Sequence, residues 1–102
     1  MIRLSENSTT TYRKYDIDSN YNGVQICGTI ILELLIDKWV LKTMLLHPQR
    51  TKFSSNVLNT VLSYENIISE RVYVYTNDPW AAFYFKNNNL TVNNISDLLS
   101  RG

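Results

Sequence analysis

The sequence predicts an α/β chain of the mixed α+β type, on three observations. Two apolar, β-branched runs, Gln25–Leu35 and Trp39–Leu46, flank the polar break Ile36-Asp37-Lys38, which is the pattern of a β-hairpin. The period then changes: Val57, Leu58, Val61, Leu62, Tyr64, Ile67 and Ile68 recur at spacings of three and four, so they share one helical face. Beyond them Arg71–Tyr75 alternates as a strand does. Strand, helix and strand in that order make a right-handed crossover between strands running in the same direction. The expected architecture is a central, mostly antiparallel sheet with one such crossover.

Each element has its own local reason. The first 24 residues are polar, and within them Thr9–Tyr15 has the β-branched and aromatic content of a strand. Asp16–Gly23 reads as a loop closing on an Asn-Gly pair. The two hairpin runs lack clean alternation, as central strands covered on both faces do. His47-Pro48 ends the second run, because proline donates nothing to a ladder. Thr51, Ser54 or Ser55 caps the helix over Ser54–Ser69. Asn77-Asp78-Pro79 starts another, with Asp at the N-cap and Pro at the first helical position. That helix covers Trp80–Asn87 and ends in three consecutive Asn, which tolerate the left-handed cap conformation. Leu90-Thr91-Val92 is a short strand, and Asn94 opens a last helix with Ile95, Leu98 and Leu99 on one side. No linker or repeat interrupts the chain. It reads as one domain over 1–102: a polar segment 1–24, a core 25–93 and a short helix 94–102.

Composition narrows the function without naming it. The chain has 102 residues, 44% hydrophobic and 19% charged. That is enough for one core and too apolar for a disordered tail. A net charge of +1 lacks the basic footprint of a nucleic-acid binder. One Cys and one His exclude an internal disulfide and argue against a zinc site. Cys27 reads as a small buried apolar group. The longest apolar run, Ile30–Ile36, is broken by Glu33 and is too short to span a bilayer. No N-terminal stretch looks like a signal peptide, so the expected location is the cytoplasm. Twelve Asn fit an A/T-rich coding sequence such as that of a phage or a low-GC bacterium, in which case the cytoplasm would be the host's.

Two stretches together resemble the GNAT family of N-acetyltransferases. That family has a strand ending in V-x-P, then R-x-x-G-x-G/A at a helix start, a further strand, and an N-x-x-A-x-x-F-Y-x-K helix. Here the first stretch is Met44-Leu45-Leu46-His47-Pro48-Gln49-Arg50-Thr51-Lys52-Phe53-Ser54-Ser55. The second runs from Val72 to Asn87 and contains Asn77, Phe83, Tyr84 and Lys86. The resemblance covers roughly residues 25–93 and implies a GNAT-like fold that binds acetyl-coenzyme A. Met44 and Leu46 would line the cofactor arm, with an amide of Met44 or Leu45 polarising the thioester. Arg50, Lys52, Ser54 and Ser55 would sit at the pyrophosphate, where free N–H groups of a helix start attract anions. Phe53 stands where the family keeps a glycine, which implies either an obstructed approach or a different loop path. Asn77 would contact the cofactor arm. Tyr84 would protonate the leaving thiolate. Glu33, the single carboxylate inside the apolar sheet segment, is the candidate base.

With 24 residues before the hairpin, no wall for a small acceptor is expected. The implied acceptor is an amine on a protein, such as a host protein if the chain is phage-encoded. The alternative is an interaction or inhibitor protein of this fold that has lost the cofactor. Tyr12, Tyr15, Tyr21, Trp39 and Trp80 would then anchor the partner. An exposed hairpin or strand edge would also serve a homodimer.

Overall fold

The computed structural model describes residues 1–49 and 51–96. Among them the chain forms six strands in one sheet and two α-helices, a mixed α+β architecture. The strands are β1 (Ile2–Leu4), β2 (Tyr12–Tyr21), β3 (Val24–Leu35), β4 (Lys38–His47), β5 (Val72–Tyr75) and β6 (Thr91–Asn93). The helices are α1 (Ser54–Glu65), between β4 and β5, and α2 (Pro79–Asn87), between β5 and β6. The strands lie across the sheet in chain order. β1 to β4 form an antiparallel meander, and β4–β5 and β5–β6 pair in parallel.

The crossover through α1 matches the sequence expectation. A second one, through α2, goes beyond it, because Leu90–Val92 is too short a run to declare its pairing. Both crossovers step the same way across the sheet, so right-handedness puts both helices on one face. The hydroxyls of Ser55 on α1 and Tyr84 on α2 accordingly meet at 3.2 Å. Under the helices lies one core, in which Ile26, Ile30 and Leu32 of β3 meet Val57, Leu58 and Val61 of α1, all fully buried.

The structure corrects several expectations. Asp16–Tyr21 is strand, not loop. Tyr15 and Ile17 point into the core while Asp18 and Asn20 are exposed, so the period of two was present beneath the turn-forming composition. Only Asn22 (φ 52°) and Gly23 (φ 87°) form the turn, a two-residue hairpin that needs positive φ at both positions. β1 was not expected at all; three residues carry no periodicity, and it exists through pairing with Tyr15–Ile17.

The face of β3 and β4 away from the core is largely open, for Gln25, Cys27, Lys42, Leu45 and His47 are all exposed and Val40 alone of the non-core positions on β4 is buried. Their alternation is broken instead by a bulge. Ile31 pairs with Thr43 and Leu32 with Leu41, leaving Lys42 as the extra residue. The core-facing positions of β4 therefore fall at Leu41, Met44 and Leu46, changing parity across Lys42. Cys27 is exposed rather than buried, its thiol donating to Asp18 Oδ1 at 3.5 Å.

α1 ends at Glu65, four residues earlier than its apolar spacing suggests. Asn66 takes the left-handed conformation (φ 58°), and a 3₁₀ turn over Ser69–Arg71 leads into β5. α2 starts as expected: Asp78 Oδ1 accepts from the Trp80 amide at 3.1 Å. It closes through Asn89 at φ 67°. At the chain's end Ile95 and Ser96 begin a helical turn whose Ser96 amide donates to Asn94 Oδ1. The remainder of that expected helix, and Arg50, lie outside the described residues.

Candidate functional site

The site follows from how β4 leaves β5. Their ladder consists of two partner pairs, Trp39↔Val72 and Val40↔Tyr73. Val74 and Tyr75 stay paired to β6, while β4 continues to His47 without a β5 neighbour. A gap between two diverging strands opens under the starts of both helices. It is a cavity of about 250 Å³. Met44, Leu45 and Leu46 form its β4 side, Gln49 and Ser54 the approach to α1, and Asp78, Trp80, Ala81, Tyr84 and Phe85 the α2 side.

The start of α1 is electrostatically open. Its N-cap is Phe53, whose side chain makes no capping hydrogen bond, and no acidic residue occupies the first turn. The first N–H groups of a helix have no intrahelical partner and carry partial positive charge. Ser54, buried here, pairs its hydroxyl with Thr51 at 3.4 Å rather than capping. Phe53 does not line the cavity. Its ring stacks on Tyr21 at 5.4 Å and 15°, with Lys52 Nζ 5.1 Å from its centroid. Of the two consequences implied for a phenylalanine at this position, the ring is turned aside rather than set in the approach.

α2 presents its aromatics at helical spacing. Tyr84 stacks on Trp80 at 5.6 Å, nearly parallel at 6°, and meets Phe85 edge-on at 5.2 Å. Its hydroxyl is held by Ser55 across the gap between helices. No residue of α2 is fully buried, although most of its sequence is apolar. This helix is therefore half wall and half surface.

The expected site residues divide into two groups. Met44, Leu46, Ser54 and Tyr84 line the cavity, and Ser55 reaches it through Tyr84. Glu33, Asn77 and Lys52 do not line it. Glu33 follows core-facing Leu32 on β3, so it lies on the open face of the sheet, with Lys42 Nζ at 3.4 Å. Asn77 Oδ1 accepts from the Ile95 amide at 3.2 Å. Of the aromatics expected to anchor a partner, Tyr15 is in the core, 3% exposed. Gln49, Asp78, Ala81 and Phe85 line the cavity without having been marked for it. Ala81, Tyr84 and Phe85 share a face by helical spacing, the one signal by which two of them were legible. Asp78 was hidden by its second role as a cap.

No group of three or more His, Cys, Asp and Glu is arranged to hold a metal ion among the described residues. No helix among them is long and apolar enough to cross a membrane. No protein-family model matches the chain, and neither a curated protein nor a solved structure does.

Proposed function

We propose that this chain is a small GNAT-like acetyltransferase domain, moving an acetyl group from acetyl-coenzyme A to an amine on a protein. The observation that supports it is a convergence. One cavity lies where a strand diverges from its parallel neighbour, at an uncapped helix start, beneath a tyrosine hydroxyl held by serine. The chain's residues fit the donor. Amides at the start of α1, with Ser54, suit a pyrophosphate, and the ring of Phe53 is turned to Tyr21. A volume of 250 Å³ is below the ~300–1,000 Å³ of sites that enclose a whole drug-sized ligand. It suits the thioester end of the arm, with the nucleotide left outside.

Acetyl-coenzyme A supplies an activated acetyl thioester. Tyr84 holds a phenolic proton beside Ser55 for the departing sulfur. Past Val40, the edge of β4 that has left β5 offers backbone groups to the acyl oxygen. Titration calorimetry and thermal melting with acetyl-coenzyme A test the reading. Heat release with a raised melting temperature is expected, and Tyr84→Phe slows transfer with affinity retained. No heat and no thermal shift at millimolar donor would overturn it.

A second reading is an interaction protein of the same fold without transfer. It is favoured by Phe83, which is 68% exposed on α2 and does not line the cavity. A specific protein partner whose binding is lost in Phe83→Ala, with no donor binding, would establish it instead.

A further inference from the structure

The tip of the β2–β3 hairpin carries a chemistry separate from that of the cavity. Asn22-Gly23 is the one Asn-Gly pair in a sequence with twelve Asn. Such a pair reacts with itself. The backbone nitrogen after the asparagine loses its proton and attacks the side-chain carbonyl carbon. Ammonia leaves and a five-membered succinimide closes. Water then opens the ring to aspartate, or to isoaspartate, whose main chain runs through the side-chain carbons. The net change consumes water and releases ammonia, with no other reactant. A following glycine leaves the attack unobstructed, because it has no Cβ. Both residues are exposed here, and a Cβ added at Gly23 would meet nothing within 4 Å.

Two things hold the pair in check, the turn and one side chain. Positive φ at Asn22 (52°) and Gly23 (87°) fixes the two-residue turn. The Gly23 N–H donates to Asn20 Oδ1 at 2.9 Å, and Asn20 Nδ2 donates in turn to Gln25 Oε1 at 3.4 Å. The proton that must leave the attacking nitrogen is thus shared with Asn20 rather than offered to base. The same bond keeps that nitrogen from swinging onto the Asn22 side chain. We propose that Asn22 is the chain's primary modification site, a self-deamidating asparagine kept latent in the folded protein by the Asn20 side chain. Its conversion has a structural consequence. Isoaspartate adds a methylene to the main chain between Tyr21 and Val24, which are ladder partners, and hairpin register is set by loop length and turn type. Tyr21 also carries the stack with Phe53, the N-cap of α1. The lesion therefore acts on the start of α1 from outside the cavity.

Three forms of the full chain separate the side chain from the turn: the parent, Asn20→Ala and Asn20→Asp. Each is incubated at mildly alkaline pH, both folded and in concentrated urea, at a temperature below the melting range of all three. Peptide mapping by mass spectrometry then assigns the amide-to-acid mass gain residue by residue. Folded Asn20→Ala should deamidate at Asn22 before any other Asn. Its rate should exceed the folded parent's about two- to tenfold, the weight of one hydrogen bond on a barrier. Asn20→Asp keeps an oxygen acceptor for the Gly23 N–H and should stay as slow as the parent. In urea all three should react at similar rates, faster than the folded parent. Deamidation led by another Asn, in folded Asn20→Ala or in urea, overturns the proposal. So does a folded parent that reacts as fast as in urea, or equal folded rates for Asn20→Ala and the parent. Asn20→Asp reacting as fast as Asn20→Ala overturns it too, because the acceptor is then not what holds the site.

Discussion

Raising the pH past the range where tyrosine ionises should unlock α1 from β2 at one identifiable group. Tyr15 is 3% exposed, and its hydroxyl donates to Glu65 at the C-terminal end of α1. Arg13 Nε donates to both oxygens of the same carboxylate, at 2.9 and 3.0 Å. A negative charge at a helix C-terminus is unfavourable by itself, and these two donors offset it. Burial, then the hydrogen bond to Glu65, then its negative charge push the Tyr15 phenol up from 10 to about 12. The folded protein thus resists an ionisation that the unfolded chain undergoes near 10. The stabilisation is fully present below pH 10 and is lost as the pH rises through about 12. One pH unit of separation is worth about 1.4 kcal/mol, so the loss amounts to about 3 kcal/mol. Urea unfolding across this range, for the parent and Tyr15→Phe, isolates it from the other titrating groups. At pH 8 the variant should be less stable by ~1.5–3 kcal/mol, the value of a hydrogen bond to a charged partner. The gap should then close across the window. A gap that stays constant, or phenolate absorbance showing all seven tyrosines ionising together near 10, would refute the reasoning.

Three further outcomes follow from packing. Gly28→Ala would put a Cβ 1.9 Å from the Leu45 carbonyl oxygen and 2.9 Å from Leu46 Cα. Chemical denaturation should show a loss at or above the ~1–3 kcal/mol usual for overpacking, since backbone cannot move aside as a side chain can. Leu58→Ala removes a fully buried side chain between α1 and the sheet, and the same measurement should read ~2–5 kcal/mol. Phe53→Ala breaks the stack on Tyr21 and should lower stability by ~0.5–1.5 kcal/mol beyond its area term, while calorimetric affinity for acetyl-coenzyme A stays unchanged.

What the residues disclosed depended on whether their signal was local. α2 was legible almost to the residue because its cap, its Pro79 and its closing Asn residues act within a few positions of each other. The hairpin of β3 and β4 was legible from its turn. Cues that compete locally misled: the acidic and amide residues of Asp16–Tyr21 have turn chemistry, yet alternate across a strand whose other side is buried. Glu33 illustrates the other limit. Its place among apolar residues suggested a site, and only register decides its face. A one-residue change of phase moves a side chain across the sheet, and Glu33 has the phase opposite to Ile26, Ile30 and Leu32, which are all buried in the core. Asp78 and Tyr84 lie six positions apart and read as a cap and an aromatic. That they line one cavity with Met44 follows from the tertiary path of β4.

That path also explains why the cavity occurs here rather than elsewhere on the sheet. In an open parallel sheet a binding crevice forms where the strand order reverses and neighbouring helices leave on opposite faces. This sheet has no reversal between β4, β5 and β6, and its two crossover helices share a face. Strand order alone would bring α1 and α2 together and close the space between them. It stays open because the β4–β5 ladder stops after two pairs, while β5 remains committed to β6. The close approach at Gly28 belongs to the same geometry, holding the far end of β4 against β3 and away from β5. A side chain at position 28 would push Leu45 and Leu46 toward the cavity they line. Stability of the meander and shape of the site are thus coupled through one residue that does not line the cavity. Substitutions at Gly28 should disturb donor binding in proportion to how far they displace β4, whereas Leu58→Ala, which loosens α1 from beneath, should lower stability first.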